Sequence, residues 1–218
     1  MSSRPRKRFE IEIRDLADDD VEACARLHGL CFPDKLETLL GHACIVDCLR
    51  QRYVAPRGDC FCRVAIDKSS GRLAGYLYAE TMVPGNPLSN AFLNKRIAKG
   101  HLFRRVWFSP RLWGWLAQRI WRRLFGRDWN EGARQDIQSG WEVAKMLGIE
   151  PDFRGGNVGV DLMLDNEAEA RRRGVRRICG LIERGNVKAE RLYQSIGWQR
   201  TSADSDCYQV FAMHKDLP

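Results

Sequence analysis

Apolar and charged residues alternate from Phe9 to Arg14, the period of an extended backbone that shows one side chain to each face in turn, and this segment is predicted as a strand. The period then changes. Asp18 to Asp20 supply helix-opening carboxylates, and Val21, Ala25, Leu27 and Leu30 follow at helical spacing. Cys31-Phe32-Pro33 interrupts that helix, and a second is predicted over Leu36–Leu49. Strand-like runs return at Cys62–Asp67 and Arg72–Ala79, with the turn Lys68-Ser69-Ser70-Gly71 between them, so the pair is predicted as a hairpin. Val143–Ile149 reads as a fourth strand. The helix that follows carries Val160, Leu164 and Ala168 on one face, Arg171 to Arg173 at its negative end and Gly174 just beyond it. A strand over Arg176–Ile182, a short helix opened by Asn186 and ended by Gly197, with Leu192 inward, and a strand over Tyr208–His214 complete the reading. The 218 residues suit one domain, 1–218.

Charge changes this picture in one place. The chain carries a net +8, yet Thr81 to Arg127 alone holds ten Lys or Arg and no Asp or Glu. Within it, Ser109 to Arg127 places Leu112, Trp113, Leu116, Ile120, Trp121, Leu124 and Phe125 on one helical stripe, and Arg111, Arg119, Arg122 and Arg123 mainly on other faces. Such a helix suits either an anionic membrane surface or packing on its own domain or on a second copy, so residues 104–127 are the expected place for peripheral membrane contact or a homodimer. Nucleic acid is the less suitable partner, because no recognition motif accompanies the charge. No apolar run reaches the ~18 residues of a membrane span, and the basic start leads into charged sequence, so the expected location is cytoplasmic. Cys24, Cys31, Cys44, Cys48, Cys179 and Cys207 sit among apolar neighbours and read as reduced thiols. Cys60 and Cys62 have only scattered histidines for company, so no metal site is expected.

The candidate chemistry lies between Arg154 and Trp198. Arg154-Gly155-Gly156-Asn157-Val158-Gly159 forms a glycine-rich turn between a strand and a helix. The unpaired N–H groups and positive dipole end of a helix start attract anions, and glycines let phosphate oxygens approach the backbone. Arg154 adds charge at the mouth. No Gly-Lys-Ser/Thr follows, which argues against a P-loop. Asn186 reads either as a helix cap or as a ligand-binding amide, and Tyr193 either as a core aromatic or as a catalytic phenol.

This order of parts, with Asn186, Ala189, Leu192-Tyr193 and Gly197-Trp198 after the turn, resembles the GCN5-related N-acetyltransferase superfamily and its Arg/Gln-x-x-Gly-x-Gly/Ala coenzyme motif. The likeness covers nearly the whole chain, with one departure: Asn157 stands where the motif's first glycine is usual. It implies an α/β (α+β) fold with a mixed, mostly antiparallel twisted sheet flanked by helices, and a basic Trp-rich helical insertion at about 84–140 between strands three and four. It further implies acetyl-CoA held by Leu147, Gly148 and Ile149 of the fourth strand, by Arg154, Gly155, Gly156, Asn157, Val158 and Gly159 of the turn, and by Asn186 and Tyr193. An amine attacks the thioester directly, without an acyl-enzyme. Tyr193 takes the general acid's place; for the general base the alternatives are Glu142, at the head of the fourth strand but one residue out of register when counted back from Ile149, Glu80 at the end of the preceding strand, and a water chain or no protein base. The expected acceptor is a small-molecule primary amine such as an amino sugar or envelope precursor. The alternatives are a protein N-acetyltransferase and a low-activity, membrane-docking acyl-CoA module.

Overall fold

A computed structural model of the chain describes residues 7–54, 60–81, 95–105, 109–125, 141–200 and 210–218. The strands are β1 (Ile11–Asp15), β2 (Cys60–Asp67), β3 (Leu73–Thr81), β4 (Glu142–Ile149), β5 (Arg177–Glu183), β6 (Gln199–Arg200) and β7 (Val210–Asp216). They form one sheet in the order β1-β2-β3-β4-β5-β7-β6. Every neighbouring pair is antiparallel except β4 and β5. The helices are α1 (Val21–Cys31), α2 (Leu36–Leu40), α3 (His42–Leu49), α4 (Lys95–Arg105), α5 (Pro110–Phe125), α6 (Val158–Arg172) and α7 (Val187–Ser195). The mixed, mostly antiparallel sheet flanked by helices is the expected fold class.

Two apolar clusters cover the two faces of the sheet. On one, α1, α2, α3 and the start of α5 bury Val21, Leu27, Leu40, Leu49 and Leu112 against Tyr76 and Tyr78. On the other, α6 and α7 bury Leu162, Met163 and Tyr193 against Leu77, Ala79, Ala144 and Met213. Opposed residues of paired strands share a face, so register assigns each strand side chain to one cluster or the other. The register slips once between β3 and β4: Tyr78 faces Met146 but Ala79 faces Ala144, which leaves Lys145 as an extra residue. Glu142 and Ala144 consequently lie on the α6 face together with Leu147 and Ile149.

Several expectations change. The helix predicted over Leu36–Leu49 is two, because Gly41 has φ 101° and its N–H closes α2 on the carbonyls of Glu37 and Thr38. The apolar spacing carries on across that break, so periodicity alone concealed it. In α6 the buried face is Val158, Leu162, Met163, Asn166, Glu167 and Ala170, whereas Leu164 and Ala168 are exposed and Val160 half-buried. Two polar residues interrupt the buried stripe, and so the cleaner apolar repeat pointed to the wrong face. Residues 84–94, 106–108 and 126–140 of the expected insertion, Arg127 at the end of its helix, Cys207, and Tyr208 and Gln209 of the last strand lie outside the described residues.

Glu167 shows why a buried carboxylate is tolerated there. It accepts from Trp198 Nε1 at 2.9 Å and from Lys215 Nζ at 2.8 and 3.0 Å. Glu167→Ala strands a partly buried ammonium and an indole N–H, and is expected to cost about 2–4 kcal/mol. Urea denaturation of the purified variant checks this.

Candidate active site

The site is organised by the one parallel pairing in the sheet. β4 and β5 are joined over only three rungs, Glu142–Ile178, Val143–Cys179 and Ala144–Gly180. Beyond Ala144 the strands part, and no ladder joins Lys145–Ile149 to β5. The free edge of β4 therefore presents unpaired backbone groups, the condition in which a guest can pair like an added strand. Leu147 and Ile149 pack toward α6, while Gly148 is buried directly against the ring of Tyr76, where any β-carbon would collide.

The chain leaves β4 through a single turn, Pro151–Phe153, and enters α6. The N–H groups of Val158, Gly159 and Val160, in the first turn of α6, have no intrahelical partners by geometry. Of the turn glycines Gly155 alone is left-handed, with φ 79°. Gly156 and Gly159 serve close packing: β-carbons there would stand 2.6 Å from Phe9 Cε2 and 2.8 Å from Leu192 Cδ1. Asn157 needs no left-handed backbone either, since it sits at φ −84°, ψ −18° as the residue before α6. Its amide accepts from Phe9 N–H at 2.7 Å and donates to Phe9 carbonyl at 3.1 Å, tying the turn to the start of the sheet. Val158 is fully buried. Arg154 is exposed and donates from Nε to the Ile149 carbonyl at 2.9 Å, which holds its charge beside the open end of β4.

Asn186 caps α7, accepting from Ala189 N–H at 3.1 Å. α7 carries Tyr193 to the last rung of the β4–β5 ladder. A β-carbon on Gly180 would lie 3.4 Å from Tyr193 Oη, so the phenol rests on the point where the two strands diverge. Trp198 holds the ring edge-on, centroids 4.7 Å apart. Burial, with a smaller contribution from Cys179, pushes the phenol up to about 12.

Glu142 is not at that point. It is completely enclosed under α6, and neither its carboxylate oxygens nor the side-chain amide of buried Asn166 has a hydrogen-bond partner. Burial pushes its pKa up to about 8, against a lowering by Arg173, with Glu169 raising it and the neighbouring Asn166 lowering it. The expectation of a base at Glu142 thus meets a carboxylate on the α6 face with no exposed surface. The extra residue at Lys145 is the reason, since it inverts the parity counted back from Ile149. Glu80, across from Val143, points to the opposite face and accepts from Arg52 Nη2 at 2.9 Å. Among the described residues no group of three His, Cys, Asp or Glu is placed to hold a metal ion.

No protein-family model matches the chain. A curated relative, mycothiol acetyltransferase of Thermobispora bispora, is 30% identical over 100 residues, which make up 45% of this chain and 33% of that protein. The match thus spans about a third of the relative's length. A GCN5-related N-acetyltransferase from Kribbella flavida superposes with a TM-score of 0.56 at 17% identity, over 95% of this chain and 98% of that one. NAA60 of Arabidopsis thaliana in complex with acetyl-CoA gives 0.57 at 14% identity, over 95% and 99%. PaiA N-acetyltransferase of Thermoplasma acidophilum in complex with coenzyme A gives 0.54 at 12%, over 95% and 99%. The chain therefore shares the fold of these N-acetyltransferase structures.

Proposed function

We propose that the chain is an acetyl-CoA-dependent N-acetyltransferase that acts on a small primary amine by direct attack on the thioester. The observation that carries this reading is the coincidence of three features: the parting of β4 from β5 after Ala144, the start of α6 one turn beyond β4, and the Tyr193 hydroxyl over the last rung. The residues fit the coenzyme. The open edge of β4 at Leu147 to Ile149 suits an extended amide-bearing arm, and the first N–H groups of α6 with Arg154 suit a pyrophosphate. Acetyl-CoA supplies an activated carbonyl. The protein's tasks are to place the amine, polarise that carbonyl with β4 backbone N–H groups near Leu147, and ease departure of the sulfur.

Tyr193 eases that departure as a hydrogen-bond donor rather than by outright proton transfer. A phenol at about 12 holds its proton more tightly than a thiolate of pKa ~8.5, and solvent completes the thiol. Asn186 supports the site by capping α7. The coenzyme structures of NAA60 and PaiA support the choice of donor. The acceptor, an amino sugar or another envelope amine, is the finer part of the proposal. It is favoured over a protein N-terminus because α4 and α5 pack on α2 beside the sheet and narrow access to that side.

The described half of α5 supports packing as the first role of the basic helix, since Leu112 is fully buried and Leu116 packs with it. Trp113 at 53% exposure and Phe103 at 78% leave a membrane surface or a second copy as the proposed partner of the outer face. The side chains of Ile120, Trp121, Leu124 and Phe125 lie outside the described residues. No described helix is long and apolar enough to cross a membrane.

Calorimetry with acetyl-CoA tests the reading. Wild type is expected to bind, and Arg154→Glu to bind about tenfold to a hundredfold more weakly. Arg154 is exposed, so the change spares the fold. Absence of binding by wild type would sink the proposal.

A further inference from the structure

The outward sides of α4 and α5 are unlike those of a solvated helix. α5 buries Leu112, packs Leu116 against the same cluster, and leaves Pro110, Trp113, Gly114 and Ala117 exposed. Those four fall at i, i+3, i+4 and i+7, so two turns of solvent-facing helix carry no polar side chain, where an amphipathic surface helix would carry its charges. On α4, Ile97, Ala98 and Leu102 pack inward, and His101 Nε2 meets Asp47 Oδ2 of α3 at 2.9 Å. Phe103 stands out at 78% exposure, one turn after exposed Lys99. A single exposed aromatic is ordinary on a protein surface, but here two stand on consecutive helices that both pack on α2.

Charge selects the partner of this surface. α4 holds five Lys or Arg and α5 four, more than the whole chain's net charge of +8, and neither helix holds an Asp or Glu. A second copy docked through the same patch would set like charge on like charge about a two-fold axis. A nucleic-acid face would put its cations at the centre, whereas the centre of the exposed side of α5 is Trp113, Gly114 and Ala117, with exposed Arg111 on its flank. Apolar residues along the middle, an indole among them and cations at the margin are the pattern of a helix lying in the surface of an anionic bilayer.

We propose that α4 and α5 dock this chain peripherally on an anionic lipid bilayer, with Trp113 and Phe103 entering the boundary between headgroups and acyl chains and Lys99 and Arg111 held at the level of the lipid phosphates. Leu112 and Leu116 stay in the core, so docking requires no unfolding of the helices. The bilayer lies on the side of the sheet that carries Tyr76 and Tyr78. α6 and α7 cover the opposite face, and the turn at Arg154 that leads into α6 consequently stays in water, open to a soluble coenzyme.

Co-sedimentation with vesicles tests this. In about 0.1 M NaCl, wild type is expected to bind vesicles of equal parts phosphatidylcholine and phosphatidylglycerol about tenfold or more tightly than phosphatidylcholine alone, and to be released in about 0.5 M NaCl. Phe103→Ser/Trp113→Ser is expected to bind the anionic vesicles about tenfold more weakly through lost apolar burial, and Lys99→Glu/Arg111→Glu about tenfold more weakly through reversed charge. These side chains are all exposed, so the substitutions spare the core. Acetyl-CoA binding by calorimetry reports on the far side of the sheet and is expected to stay within about threefold of wild type in both variants. Wild type that remains in the supernatant, equal binding to neutral vesicles, or binding that neither pair of substitutions weakens would overturn the proposal. So would a dimer in light scattering that Phe103→Ser/Trp113→Ser turns into a monomer, or tight binding of a single-stranded RNA oligomer lost in that variant, since these assign the face to a second copy or to nucleic acid. Wild type that sediments as expected but binds no acetyl-CoA would sink the transferase reading and leave the docking surface in place.

Discussion

Tyr193→Phe is expected to lower kcat about 10²-fold while leaving acetyl-CoA affinity within about threefold of wild type. The ring packs edge-on to Trp198 and over Gly180, contacts that phenylalanine keeps, so the fold and the coenzyme cleft survive. What is lost is one hydrogen-bond donor placed where the strands diverge, and removal of a single donor to a developing anion typically costs 10²–10³ in rate. Because burial pushes the phenol up to about 12, its own ionisation lies far above the working range. The pH profile of the variant should therefore keep the limbs of wild type, scaled down. A rate within twofold of wild type, measured by thiol release under saturating acetyl-CoA, would remove Tyr193 from the chemistry and leave it as a core aromatic.

Glu142→Gln should make the protein more stable above neutral pH, by several kcal/mol at pH 9. Glu142 titrates near its ordinary 4.5 in the unfolded chain and at about 8 when enclosed under α6. Between those values the folded state holds a proton that the unfolded state has released. Stability therefore declines by about 1.4 kcal/mol per pH unit as pH rises from about 4.5 to about 8, and levels off above. The stabilisation by this group is fully present below the unfolded pKa and lost through the folded one. Glutamine has nearly the same shape and no charge, so the difference between wild type and variant isolates this slope from that of every other group. Denaturant unfolding at pH 5, 7 and 9 measures it. A difference that stays constant across the three pH values would contradict the buried, proton-holding state of Glu142.

These two residues also show how far the chain could be read without its fold. The place of Tyr193 was legible because it depends on local order: a turn, a helix, a strand and a second helix, each bounded by Gly or Asn with a local conformational job. Gly155, Gly174 and Gly197 are all left-handed, and Asn186 caps its helix. Glu142 was misread because its face depends on a single extra residue at Lys145, and nothing in Val143 to Ile149 marks where the ladder slips. Gly41 and the buried face of α6 failed for a related reason. Periodicity reports which positions are apolar, but a polar residue such as Glu167 is buried only because Trp198 and Lys215, distant in sequence, arrive to meet it.

By itself, then, the sequence determined the kinds and order of elements, the helix start that suits a pyrophosphate, and the phenol beside it, since these follow from short-range propensity, capping and backbone freedom. The tertiary structure decided which face of the sheet each carboxylate occupies, where β4 and β5 separate, and which glycines pack closely against a neighbour. Those properties depend on strand register and on contacts across more than a hundred residues of chain, such as the tie between Asn157 and Phe9 at |i−j| of 148. A one-residue slip in a ladder changes no local preference, yet it moves a charge from one side of the sheet to the other.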